Sequence, residues 1–120
     1  MSGGFRQMIE PVADQVGVSK DKIYANTFLF NDDGSFKSHL DSEPTSRAGG
    51  KAQVVAELKA RHGYETVVMV GDGATDMEAR DIPGGADAFI GFGGIQVREK
   101  VRDGADWFVT DFKDMVAVLD

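Results

Sequence analysis

"VVMVGDGATDMEAR", residues 67–80, runs four apolar residues into a Gly-Asp-Gly turn and then into a helical pattern that carries a second carboxylate. A continuous apolar run bounded by turn signals reads as a buried strand, and Ala74 to about Arg80 reads as a helix. In an open parallel sheet, ligands bind beyond the carboxyl ends of the strands, so this strand delivers Asp72 to that edge. The flanking glycines let the backbone turn and come close to a ligand, while the following helix offers free amides and a positive dipole end to an anion. Asp72 and Asp76 beside an anion site call for a cation. Mg2+ suits them, because it takes oxygen ligands and is often held by one or two carboxylates plus substrate phosphate. Taken alone, Gly71-Asp72-Gly73 reads equally well as a plain turn.

Working outward, Lys51 to His62 carries Ala52, Val55 and Leu58 on one side and stops at Gly63, which predicts a helix ahead of a strand over Thr66 to Val70. Beyond the turn, the pattern predicts a strand at Ala88 to Ile90, a helix from Val97 to about Arg102 and a strand at Asp106 to Val109. A last helix runs from Asp111, its cap, to Leu119, with Phe112, Met115, Val116 and Leu119 on one face. Short apolar strands alternating with helices mean an α/β, Rossmann-like fold, a mainly parallel sheet with helices on both faces.

The first fifty residues are less regular. Phe5, Met8, Ile9, Val12 and Val16 mark one face of a helix that ends at Gly17, and Pro11 should kink it or mark its true start. "KIYAN", residues 22–26, reads as a short strand. Thr27 to Phe30 and Ser35 to Leu40 flank Asn31-Asp32-Asp33-Gly34, which predicts a β-hairpin with a four-residue connection. No internal repeat or low-complexity segment stands out.

The composition narrows the function classes. At 120 residues the chain suits one domain that buries roughly two-thirds of its unfolded surface. With 13 Lys+Arg against 20 Asp+Glu and a formal charge of −7, it has no basic stripe for nucleic acid or an anionic membrane. Any phosphate binding is therefore local. The absence of cysteine removes disulfides, thiolate catalysis and thiolate zinc sites together. No run approaches membrane-span length and "MSGGFRQ" has no hydrophobic signal region, so the chain reads as soluble and cytoplasmic.

Two more places bear on an anion site. Lys51 follows Gly49-Gly50 at the start of a predicted helix, where a cation opposes the dipole unless an anion is nearby. A solvated surface lysine is the plainer reading. Ser2-Gly3-Gly4 precedes the first helix, and a hydroxyl with free amides there suits phosphate or serves as an ordinary cap.

Together, SGGF at 2–5, GGK at 49–51 and VGDGATD at 70–76 resemble the second, third and fourth motifs of haloacid dehalogenase-type phosphatases. "SGGFRQMIEPVA", "YANTFLFNDDG", "GDGATDMEAR", "ADAFIGFGG" and "ADWFVTDF" resemble, in order and across almost all of the chain, the C-terminal half of the eukaryotic phosphoserine phosphatase family. The resemblance implies a Mg2+-dependent hydrolase that converts O-phospho-L-serine, a small-molecule substrate, to L-serine and phosphate in serine biosynthesis. It implies that Ser2, Gly3 and Gly4 bind the phosphoryl group and substrate and that Lys51 neutralises the nucleophile and the phosphoryl charge. Asp72 would ligate Mg2+, Thr75 would contact substrate, and Asp76 would hold Lys51 or a metal-bound water. The hairpin at 27–40 resembles the family's smaller cap element. P-type ATPases share a GDG-x-x-D loop, but SGGF and ADAFIGFGG argue against them.

One departure from the family is large. Its first motif, DxDxT at the end of the central strand, supplies the aspartate that is phosphorylated and the aspartate that acts as acid and base, and it does not occur in these 120 residues. Met1 directly precedes SGGF, so the expectation is a single partial domain over 1–120 that lacks the nucleophile strand and the large helical cap. Such a chain should be inactive alone, since covalent phosphoryl transfer needs an in-line carboxylate. The family's sheet would then be left with a gap beside "VVMV", and exposed parallel edges favour association, with a homodimer as the association to look for. The alternative is a non-catalytic phosphate- and Mg2+-binding fragment, or a partner of a full-length phosphatase.

Overall fold

The computed structural model describes residues 1–119. Its elements, in chain order, are α1 (Arg6–Gln15), β1 (Phe28–Phe30), β2 (Phe36–His39), α2 (Gly50–His62), β3 (Val68–Gly71), α3 (Ala74–Asp81), β4 (Ala88–Phe92), α4 (Glu99–Gly104), β5 (Trp107–Val109) and α5 (Phe112–Leu119). Strands β3, β4 and β5 form a parallel sheet in that order, with Met69 opposite Phe89 and Gly91 opposite Phe108. The expected α/β alternation is therefore present from α2 onward.

One face of this sheet forms the main core. Met69 and Phe89 pack there with Val55 of α2, Met77 and Ala79 of α3 and Val101 of α4, and Phe89 is wholly buried. The other face meets α5, whose Phe112 ring stacks on Phe92 of β4 at 3.9 Å between centroids. Helices thus lie on both faces. The face toward α5 is only partly covered, since Val68 and Val70 of β3, at the sheet's edge, are 47% and 42% exposed.

The two crossovers repeat one device. Gly85-Ala86-Asp87 precedes β4 and Gly104-Ala105-Asp106 precedes β5. Asp87 Oδ2 accepts from the Val67 amide, and Asp106 Oδ2 accepts from the Phe89 amide, both at 2.8 Å. Each carboxylate ties the start of its strand to the neighbouring one. The Lys59 ammonium and the Val67 amide hold the Asp87 carboxyl below its ordinary value. The Phe89 amide and the Arg80 guanidinium do the same for Asp106.

The N-terminal part differs from the sequence expectation in three ways. Pro11 lies inside α1 without interrupting it. The predicted apolar face is buried only in part: Met8, Val12 and Val16 are 70%, 63% and 71% exposed, while Ile9 of that face packs with Ala13 against Ile23 and Ala25. "KIYAN" is not a regular strand. Lys20–Lys22 forms a 3-10 turn, and the following extended segment makes only a short parallel ladder with residues 2–6. That ladder comprises Ser2 N to Tyr24 O, Asn26 N to Gly4 O and Arg6 N to Asn26 O, at 2.7–2.9 Å.

The hairpin forms as expected, β1 against β2, with Gly34 at φ 83° closing the connection. It is anchored to the N-terminal segment. Phe5 stacks on Phe28 at 3.5 Å, and the Gln7 side-chain amide both donates to and accepts from the Phe28 backbone.

Candidate active site at the carboxyl edge of the sheet

β3 ends at Gly71, and the chain turns through Asp72 and Gly73 into α3. A Cβ on Gly71 would lie 2.2 Å from the Asp76 carboxyl carbon, so only glycine leaves room for that carboxylate to fold back beneath the turn. Asp76, the third residue of α3, reaches back to the first orphan amide of the helix. Its Oδ2 accepts from Gly73 N at 3.0 Å.

The other oxygen faces a cation. Lys51 Nζ lies 2.5 Å from Asp76 Oδ1 and donates to Thr75 Oγ1 at 3.1 Å. Both charged side chains are nearly enclosed, at 15% and 9% exposure, so the pair interacts with little screening. Lys51 reaches this place because Gly49, at φ 72°, turns the chain into α2, and because Gly50 packs where a Cβ would overlap the Pro44 carbonyl. The helix-start cation predicted from sequence is therefore matched by a carboxylate 25 residues away.

Gly3, Thr45, Arg47, Gly49, Gly50, Lys51 and Thr75 are among the residues lining one cavity of about 90 Å3. Residues of SGG, GGK and the GDG loop, distant in sequence, are brought together. Met1 lies beside them: burial, then the Lys51 charge, hold its amino group below the ordinary value, with Asp76 opposing. Ser2 turns inward, its Oγ accepting from the Gly4 amide at 3.0 Å, so it caps its own loop.

Three residues of the site, Asn26, Thr45 and Arg98, escaped the sequence reading. Asn26, 9% exposed, donates from Nδ2 to Gly3 O at 2.9 Å, and its Oδ1 accepts from Thr45 Oγ1 at 2.9 Å. It stitches the SGG loop to the segment leading into GGK. A polar residue closing the apolar "IYA" was the available signal.

Asp72 stands apart from the Lys51 pair. It projects outward, with its side chain 60% exposed, and Arg98 Nη1 donates to both its Oδ2 and its carbonyl oxygen at 3.2 Å. Two oxygens of one residue already converge on a single cationic atom, a donor set that suits a hard cation. Among the described residues no group of three acidic or histidine side chains surrounds such a position. Asp72 thus offers a single exposed carboxylate at this turn. Beside it, Val70, Phe92, Ile95 and Phe112 line an apolar cavity of about 290 Å3.

A family model described as haloacid dehalogenase-like hydrolase matches residues 1–80. The chain is 49% identical over 120 residues to the chloroplastic phosphoserine phosphatase of Arabidopsis thaliana, and covers 40% of it. It is 40% identical over the same span to the phosphoserine phosphatase of Homo sapiens, covering 52% of that protein. The chain thus spans about half the length of the curated relatives it matches. Among solved structures, it resembles a phosphoserine phosphohydrolase-like protein from Francisella tularensis with a TM-score of 0.80 at 27% identity, over 99% of this chain and 53% of that one. A substrate-bound phosphoserine phosphatase shares the fold with a TM-score of 0.77 at 21% identity, over 98% of this chain and 53% of that one.

Proposed function

This chain belongs to the haloacid dehalogenase-like hydrolase family, and from that premise we propose that it is the phosphoryl-binding portion of a Mg2+-dependent phosphomonoesterase of the phosphoserine phosphatase type. Its substrate would be O-phospho-L-serine, its products L-serine and phosphate, and its place the end of serine biosynthesis. The observation that carries this reading is the meeting of Lys51 with Thr75 and Asp76 at the edge of a cavity that Lys51 and Thr75 line together with Gly3.

In that reading Lys51 presents a compact positive charge to phosphoryl oxygens, and Asp76 fixes its direction. Thr75 offers a hydroxyl beside it, Gly3 lines the same cavity, and the Ser2 hydroxyl and Gly4 amide, now bonded to each other, would turn to the phosphate to complete its contacts. Such an arrangement suits phosphoryl transfer, where the protein contributes chiefly position and electrostatics. Mg2+ held in part by Asp72 would neutralise phosphate charge and orient it for in-line attack. The attacking carboxylate would come from a DxDxT strand, which these 120 residues do not contain. This chain by itself is accordingly read as inactive.

The test joins the chain to a DxDxT-bearing N-terminal half from a relative and measures phosphate release from O-phospho-L-serine. Turnover should require Mg2+ and fall by orders of magnitude in Asp72→Asn, while the fold is kept. Near-normal turnover of that variant at saturating Mg2+ sinks the metal-ligand role. A second reading, a non-catalytic phosphate- and Mg2+-binding fragment or a partner of a full-length phosphatase, draws on the Lys51, Thr75 and Asp76 cluster standing in a sequence without DxDxT.

A further inference from the structure

The two carboxylates of the GDGATD turn each hold a cation, but the pairs differ in kind. Lys51 and Asp76 are 2.5 Å apart and nearly enclosed, and both Asp76 oxygens accept hydrogen bonds. Arg98 and Asp72 are 3.2 Å apart with side chains 46% and 60% exposed. The first pair is a fixed part of the site, whereas the second can exchange with solvent.

Arg98 sits immediately before α4, where a cation opposes the positive end of the helix dipole. Its own helix does not explain its place. The Asp72 carboxylate and carbonyl do, since a single Nη1 donates to both. Gly73 adds to the fit, because a Cβ there would lie 3.3 Å from that nitrogen.

We propose that Arg98 is a positioning residue that latches Asp72 in the cation-free protein and is displaced when a divalent cation arrives. The proposal rests on the reading of Asp72 as a metal-facing carboxylate. Arg98 occupies only one lone pair of the Asp72 carboxylate, on Oδ2, so a divalent ion at the remaining lone pairs meets the Arg98 charge at short range, and moving the guanidinium away removes that repulsion. The latch therefore lowers cation affinity while keeping the exposed Asp72 aimed and neutralised until the ion is present. Being exposed, the pair is weak enough to open without unfolding the loop.

The test uses the 15N-labelled 120-residue chain and Mn2+ as a paramagnetic probe, reading the line broadening of the Gly71, Asp72 and Gly73 amides. Arg98→Gln should lower the Mn2+ concentration for half-broadening by roughly two- to five-fold, the range an exposed ion pair can supply. Arg98→Lys should lie between the two, and Asp72→Asn should abolish the broadening with or without Arg98. An unchanged or raised midpoint in Arg98→Gln, with broadening still dependent on Asp72, overturns the latch and leaves the metal reading standing. Broadening that survives Asp72→Asn overturns the reading of Asp72 and the latch with it. The latch is also overturned if neither the parent nor Arg98→Gln shows broadening, since releasing Asp72 would then create no site.

Discussion

Lys51 Nζ lies 2.5 Å from Asp76 Oδ1, across 25 residues of sequence, in a pair that is almost closed to solvent. Each partner is also held locally: Lys51 by the tight entry into α2, Asp76 by the cavity that Gly71 leaves and by the Gly73 amide. The site is thereby built into the contact between two helix starts.

Removing one charge of that pair strands the other. Asp76→Asn should destabilise the chain by about 3 kcal/mol, on the order of 10 °C in Tm, because the Lys51 ammonium loses its counter-charge and keeps only neutral acceptors. Lys51→Met combined with Asp76→Asn should recover part of that loss, since no buried ion then lacks a partner. Thermal melts followed by circular dichroism give both numbers. Strictly additive effects would mean that the two side chains are not coupled.

Lys51→Arg tests the shape of the cation. A planar fork with five donors cannot take the place of a compact ammonium between Thr75, Asp76 and a small cavity. In a chain joined to a DxDxT half, Lys51→Arg should lose turnover nearly as fully as Lys51→Ala. Parent-like kcat in both variants would reduce Lys51 to a structural helix-start residue.

Acid should loosen the crossovers. The folded Asp106 carboxyl titrates below its ordinary value of about 3.9, held there first by the Phe89 amide and then by Arg80. A depressed carboxylate contributes stability that is present above the unfolded value and lost as pH falls through the folded one. Asp106→Asn should therefore melt lower than the parent at pH 7, and the gap should narrow as pH drops below about 4. A gap that stays constant down to pH 2 would show that the charge is not what matters there.

Much of the scaffold was legible because local rules decide it. The apolar run into Gly71 marks β3, and Gly63, at φ 69°, ends α2 where the sequence says it should. The resemblance singled out Lys51, Thr75 and Asp76, but their meeting depends on how α2 packs against α3, which no spacing rule contains. Asn26, Thr45 and Arg98 were missed for the same reason: each acts on a backbone or carboxylate far along the chain. Periodicity correctly found α1. It could not say that Met8, Val12 and Val16 stay mostly exposed among the described residues, because apolar spacing reports a preference for burial and not the presence of a partner.

The last prediction concerns the chain with and without a second half. β3 stands at the edge of its sheet with Val68 and Val70 exposed, and a parallel edge of this kind pairs readily with a further strand. In the family the DxDxT strand lies beside the strand that β3 matches, and it would bring both the in-line carboxylate and the remaining oxygen donors for Mg2+. Residues 1–120 alone should therefore release no phosphate from O-phospho-L-serine above background, even at high Mg2+, and form no acyl-phosphate with labelled substrate. Adding a separately made DxDxT half should restore part of the activity and slow hydrogen exchange at the β3 amides. The exchange measurement separates docking from chemistry: protection without turnover would mean that the strand pairs but the carboxylate is misaligned. Robust Mg2+-dependent turnover by the 120-residue chain alone, abolished by Asp72→Asn, would mean instead that one of its own carboxylates is the nucleophile.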